Sequence, residues 1–299
     1  MDFFLARQLR ERHATACRVS ANRAAEIRAL IEPFDLLFET DGPRYDLPED
    51  LEKIYGRLGF ADRVVYSNFV SSLDGVVTLG DVASAGSIIS GRNQADRFLM
   101  GLLRACADAV LLGAGTLRAT PGHHWTAEHI YPAMAASFAR LRSKLGRKAQ
   151  PRLVLFTASG NVDITHPAVV GGATIVTTRS GAARLNGRLP QSCDVMEIGD
   201  SGDVDSRAAI DQLRSKGYDV LLTEGGPHLT ADFIEHKVLD EAFITVSPVI
   251  AGRDKEARHG MVAGVELLPS HQVWSELLSV RRHDDFLFLR YDLRNSARP

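Results

Sequence analysis

Cysteine is scarce. The 299 residues hold three, Cys17, Cys106 and Cys193, far apart and with no C-x-x-C spacing. That excludes a disulfide framework and a thiolate zinc site, so no metal is expected and a reducing, cytoplasmic location is. An excess of either charge is also missing: the formal net charge is −2, without the positive surplus of a nucleic-acid-binding chain. No apolar run approaches the roughly 18 residues of a membrane span. The N-terminus has no uninterrupted apolar signal core. Neither nucleic acid nor membrane is expected as a partner. A chain of this length buries roughly three quarters of its unfolded surface, so it needs no covalent or metal staples.

What is present is a pair of glycine-rich turns. Val220–Leu222 is an apolar run that stops at Glu224, followed by Gly225, Gly226, Pro227, His228 and Leu229. This reads as a strand, a bare turn and a helix start, with proline where its missing N–H is not needed. Glycines let backbone approach a ligand, and the free N–H groups of a new helix favour an anion. Asp108–Thr116 repeats the pattern: an apolar strand, then Gly113, Gly115 and Thr116. One such turn is ordinary turn chemistry; two fit a ligand with several phosphates, such as a dinucleotide. Neither turn is a Walker loop or a Rossmann fingerprint.

Strand patterns appear at 64–70, 109–112, 153–157, 173–178, 195–198, 220–223, 241–246 and 286–293, with helical patterns at 93–106, 204–215 and 229–236 between several of them. This alternation predicts an α/β fold, a largely parallel sheet with helices on both faces. Ser279–His283 and Phe286 onward predict a closing antiparallel hairpin, hence a mixed sheet. Residues 1–60 are set apart as an N-terminal helical extension, basic over residues 3–31, before a domain at 61–299. The stretch Arg118–Arg152 reads as a long functional or mobile loop, and Gly80–Gly91 as another. His123 and His124 are adjacent on an extended stretch, where neighbouring side chains point apart and chelate poorly.

Four motifs then occur in order: Asn68–Gly75, ending Ser-Leu-Asp-Gly; Leu103-Arg104-Ala105 followed by Ala107–Thr116; Glu224-Gly-Gly-Pro227; and Leu239-Asp-Glu with Ser247-Pro248 and Gly252. As an ordered set over about residues 62–293 they resemble the reductase domain of the bifunctional riboflavin-biosynthesis deaminase/reductase. The resemblance implies a three-layer, dihydrofolate-reductase-like fold, NADPH as cofactor, and a small heterocyclic substrate, a ribosylaminopyrimidine phosphate, whose ribose becomes ribityl. It also implies a homodimer, with Glu241–Gly252 near the interface. The zinc motifs of the family's deaminase domain are absent. The family's D-D-P-x-L-T-x-R continuation, whose arginine helps hold the substrate phosphate, is replaced by Leu117–Trp125 without a matching arginine.

By this resemblance Asp74, Glu224 and Arg104 are the candidate catalytic or substrate-side residues. Each has a plainer reading: an Asp-Gly turn for Asp74, a helix-end cation for Arg104, a carboxylate capping nearby N–H groups for Glu224. Val70, Gly113, Gly115, Thr116, Thr120, Thr157, Ser159, Gly225, Gly226, Pro227, His228 and Leu229 are the expected cofactor contacts. Arg179 is a candidate for the 2′-phosphate. Two rival readings stand beside the pyrimidine reductase: a dihydrofolate-reductase-like activity on a pterin, and a non-catalytic NADP-binding regulator.

Overall fold

A computed structural model describes residues 31–80, 82–200, 202–253 and 258–294. The basic helix expected over 3–31 lies outside these, Ile31 apart. Among these residues ten strands form one sheet: β1 Asp35–Glu39, β2 Val64–Ser71, β3 Ala109–Gly113, β4 Arg152–Phe156, β5 Ala173–Thr177, β6 Asp194–Glu197, β7 Val220–Thr223, β8 Glu241–Val246, β9 Glu276–His283 and β10 Phe286–Asp292. Their order is β1-β9-β10-β8-β2-β7-β3-β4-β5-β6. From β8 to β6 all neighbours run parallel; β10 pairs antiparallel with β8 and β9, and β1 antiparallel with β9. The expected mixed α/β sheet with a C-terminal hairpin is therefore the observed one. The hairpin does not close the edge, because β1 pairs outside it.

The helices are α1 Glu49–Tyr55, α2 Ala85–Ile89, α3 Gln94–Cys106, α4 Ala114–Ala119, α5 Ala127–Ile130, α6 Ala135–Lys144, α7 Pro167–Val170, α8 Arg179–Leu185, α9 Ser206–Ser215 and α10 Pro227–Glu235. The strands show why helices cover both faces. Val64, Tyr66, Val110, Leu112, Leu153 and Leu155 pack into one core with Leu51 of α1, Phe98 and Leu102 of α3 and Phe138 of α6. The intervening Val65, Ala109, Leu111, Val154 and Phe156 pack into a second with Ile210 of α9 and Phe233 of α10. Side chains two apart share a face, and a parallel strand covered on both faces reads as an unbroken apolar run.

Three sequence expectations change. The described part of the N-terminal stretch is not a separate helical extension: β1 joins the sheet and α1 the core. Arg281 of β9 holds it there, pairing with Glu39, donating to the carbonyls of Tyr55 and Arg57, and stacking on Tyr55. Arg118–Arg152 is not an open loop, since α5 and α6 lie in it. Phe138 and Leu141 of α6 are buried, and the Arg142 guanidinium caps the end of α3 through the carbonyls of Arg104, Ala105 and Ala107 at 3.1, 3.2 and 2.8 Å. Gly101 lets α6 approach α3, because a Cβ there would lie 2.8 Å from the Phe138 ring. Gly80–Gly91 carries α2, which packs on Val70 at the end of β2. As for β8, it is an interior strand; the exposed apolar residues near it are Val249 and Ile250, beyond its end.

Candidate active site

Parallel strands deliver their carboxyl ends to one rim of the sheet, and ligands of open α/β folds bind there. Here β2, β7 and β3 are neighbours, so the turns after β3 and β7 lie side by side. A pocket opens where they meet. Asn68, Phe69 and Val70 of β2 form one wall, α2 and the residues before it a second, and Asp96, Arg97 and Met100 of α3 a third. Thr116, Thr120, His123 and Trp125 close one side, and Glu224, Gly225, Gly226 and Pro227 the other.

The two glycine turns behave differently. Gly113 and Gly115 have open space where a Cβ would stand, within 4 Å of nothing and 4.0 Å from Arg118 respectively. Gly225 serves packing instead: its Cβ would lie 2.6 Å from the Leu229 side chain. Neither α4 nor α10 has a side-chain cap at its N-terminus, so their first N–H groups are available to an anion. Two bare helix starts on adjacent strands, one beneath open space, fit the pyrophosphate of a dinucleotide.

Glu224 and Arg104 form the buried charge pair beside these turns. Arg104 Nε donates to Glu224 Oε1 at 2.9 Å and Nη2 to Oε2 at 2.6 Å, with side-chain exposures of 1% and 7% for Arg104 and Glu224. Arg104 Nη1 donates to the carbonyls of His124 and Thr126 at 3.4 and 3.2 Å, and Nη2 meets His123 Nε2 at 3.1 Å. All five guanidinium donors are thus used. In this arrangement Arg104 has no donor left for a substrate phosphate. Arg104 instead positions Glu224 and the 123–126 segment.

Burial, and then the nearby Arg104 charge, push the His123 imidazole down to about 2. It is neutral at physiological pH, and Nε2 accepts from Arg104. His123 and His124 do not point apart as expected; both rings contact His129, at 4.7 and 5.3 Å between centroids. No metal-holding group of three such ligands exists among the described residues.

Asp74 sits elsewhere. Its carboxylate accepts from Ser72 Oγ at 2.6 Å, Ala251 N at 3.0 Å and Gly252 N at 2.8 Å, tying the loop after β2 to the loop after β8. The Ser72 hydroxyl and these N–H groups hold it down to about 2. It is outside the pocket lining and fully engaged, which favours the turn reading over the substrate contact.

Asp96, in the first turn of α3, was not singled out from the sequence, because an acid there reads as a dipole complement. It lines the pocket at 4% exposure and has no ion-pair partner among the described residues. Burial, joined by the Glu224 charge, pushes its carboxyl up to about 6, against the opposing pull of the Thr245 and Ser90 hydroxyls and the Arg97 charge. Two carboxyls of unlike environment therefore share one pocket, the arrangement that separates acid and base roles.

Of the residues expected to contact the cofactor, Val70, Thr116, Thr120, Gly225, Gly226 and Pro227 line the pocket. His228 and Leu229 do not: His228 packs on His259, and Leu229 on the second core. Thr157 and Ser159 follow β4, two strands from β7, and lie outside the pocket lining. Arg179 is occupied by Glu197 and Asp200 at 3.0 and 2.7 Å. Arg184 of α8 and Arg118 of α4 instead flank the turn after β4, donating to Ser159 O and Asn161 O at 3.2 and 3.3 Å, with no carboxylate partner among the described residues.

Comparison with known proteins places this site in context. The family model for the RibD C-terminal domain matches residues 63–269. The 2,5-diamino-6-ribosylamino-4(3H)-pyrimidinone 5′-phosphate reductase of Archaeoglobus fulgidus is 28% identical over 196 residues, 64% of this chain and 83% of that protein. The protein of the same name from Aquifex aeolicus is 25% identical over 183 residues, 60% of this chain and 75% of its own. Among solved structures, a pyrimidine reductase-like protein from Corynebacterium diphtheriae shares the fold with a TM-score of 0.62 at 20% identity, covering 83% of this chain and 99% of that one.

Proposed function

The chain belongs to the RibD C-terminal domain family, and from that premise we propose that it is an NADPH-dependent reductase of a ribosylaminopyrimidine 5′-phosphate. The observation that carries the reading is the pocket itself, where two uncapped turns on adjacent strands meet the Arg104–Glu224 pair. When bound, the reduced nicotinamide supplies a hydride. The protein's part is to orient the acceptor carbon and keep water away from it. Gly113, Gly115, Gly226 and the first turn of α10 would hold the pyrophosphate, and Val70, Thr116 and Thr120 would be the contacts nearer the pocket. Reduction of the ribose carbon also takes up a proton, and Asp96 is the pocket acid poised to give one. The direct test follows NADPH oxidation with the aminopyrimidine phosphate, its deaminated form and a dihydropterin. Turnover of the pterin alone would move the chain to a folate-type activity, and binding of NADPH with turnover of none would make it a nucleotide-binding regulator.

Gly115→Ala separates cofactor binding from folding. The residue lies in the first turn of α4 with no side-chain or backbone atom to obstruct a methyl. Alanine is the better helix former by about 0.5–1 kcal/mol, so the variant should unfold at higher denaturant. The same methyl would intrude on a pyrophosphate held at this turn, and NADPH affinity should fall roughly tenfold, about 1.4 kcal/mol. Unchanged affinity by calorimetry would remove this turn from the cofactor site.

The choice of NADPH over NADH should depend on Arg184 more than on Arg179. Arg179 is already neutralised by two carboxylates, whereas Arg184 holds only a carbonyl. Arg184→Ala is expected to reduce the NADPH/NADH affinity ratio roughly tenfold, and Arg179→Ala to leave it nearly unchanged. The reverse ranking would return the 2′-phosphate to Arg179.

A further inference from the structure

A phosphate monoester is a dianion and needs a cation in the pocket that receives it. Arg104 has no donor left. The 117–125 loop offers only Arg118, which is exposed, outside the lining and turned to Asn161 O. Among the described residues one arginine and no lysine line the pocket, and that arginine is Arg97. It is half-buried on the first turn of α3, and among the described residues its guanidinium has neither a carboxylate nor a hydrogen-bond acceptor. An unengaged guanidinium inside a pocket is unusual, because Arg fits carboxylate and phosphate oxygens bidentately.

Its surroundings suit an anion. Ser84 and Ser87, before and on α2, line the same pocket, and neither hydroxyl has a partner among the described residues. Asp96 is the adjacent acid, and its burial weakens its competition for the guanidinium. We propose that Arg97, with the hydroxyls of Ser84 and Ser87, binds the phosphate monoester of the substrate and takes over the work of the arginine missing from the 117–125 loop. The inference rests on the reductase reading for the identity of the substrate, but not for the existence of the anion subsite.

Calorimetry with ribose 5-phosphate and with ribose, on the wild type, Arg97→Ala and Arg97→Lys, tests the subsite without turnover. Arg97→Ala should weaken ribose 5-phosphate by roughly 10–100-fold, the range of a charge-assisted hydrogen bond. Ribose and NADPH should bind as before, and Arg97→Lys should restore part of the loss. In turnover, Arg97→Ala should raise KM for the phosphorylated aminopyrimidine by a similar factor with kcat little changed. The dephosphorylated compound should behave alike in both proteins. Equal ribose 5-phosphate affinity in wild type and Arg97→Ala overturns the subsite, as does an equal loss for both pyrimidines. Arg97-dependent ribose 5-phosphate binding without reduction of any pyrimidine keeps the subsite and overturns the reductase reading. Pyrimidine reduction indifferent to the phosphate does the opposite.

Discussion

Arg104→Ala should lower the free energy of unfolding by roughly 3–5 kcal/mol. The cause is what it abandons. Glu224 would be left as a buried carboxylate at 7% exposure with no counter-charge, and the carbonyls of His124 and Thr126 and the His123 ring nitrogen would lose their donor. Removing one partner of a buried pair costs far more than the pair contributes net, because the survivor is left uncompensated. Turnover should fall as well, since Glu224 and the His123–Trp125 wall would lose their positions. Arg104→Lys should recover part of the stability through its charge but not the five-point geometry. Urea unfolding measures this directly; a loss under about 1 kcal/mol in Arg104→Ala would mean that water serves Glu224 equally well and that the pair is not a structural keystone.

Asp96→Asn should act in the opposite direction on stability. The Asp96 carboxyl is pushed up to about 6 in the folded protein, against about 3.9 when unfolded. Between those values the folded state holds more protons than the unfolded state, so wild-type stability falls as pH rises through about 4 to 6 and then levels off. Asparagine has no such titration. The variant should therefore match or trail the wild type near pH 4 and exceed it at pH 7 by about 2–3 kcal/mol. If Asp96 delivers the proton of reduction, kcat should drop by roughly 10²-fold in the same protein. A more stable, slower enzyme is the signature of a group kept for chemistry at the expense of the fold. Denaturation curves at pH 4 and 7 decide the first half; a pH-independent difference would show that Asp96 titrates normally. Wild-type kcat in Asp96→Asn would leave the proton to water.

Much of this architecture was legible because parallel strands buried on both faces are written as short apolar runs ended by glycine or a turn. Val220–Thr223 and Glu241–Val246 are such runs, and they fall where expected. What stayed hidden was written in residues whose usual place is the surface. β1 reads Asp-Leu-Leu-Phe-Glu with no alternation, since it pairs on one side only and leaves its apolar residues exposed. Helix α6 is rich in arginine and serine, and one of those arginines, Arg142, is buried as a cap. The site divides in the same way. Glycine turns announce themselves locally, so Gly113–Thr116 and Glu224–Pro227 could be found. The pairing of Arg104 with Glu224 spans 120 positions, and the burial of Asp96 depends on elements as distant as Thr245. No local pattern encodes either. Asp74 and Arg179 show the converse: each has a suggestive neighbourhood in sequence and other partners in space.

The outermost strand has a consequence for how the chain is made. Asp35 of β1 is held by Arg282 of β9, 247 positions later. At about 5–20 residues per second, a ribosome needs roughly 12–50 s to supply that partner. The parallel half of the sheet can assemble meanwhile from strands already synthesised. β1 cannot, and its Leu36, Leu37 and Phe38, at 55%, 56% and 44% exposure even in the finished fold, wait unpaired. The first of the described strands to leave the ribosome is thus among the last to be placed, and an unpaired apolar edge is an open invitation to another chain. Mispairing between nascent copies, rather than unfolding of the mature protein, is the hazard this topology carries.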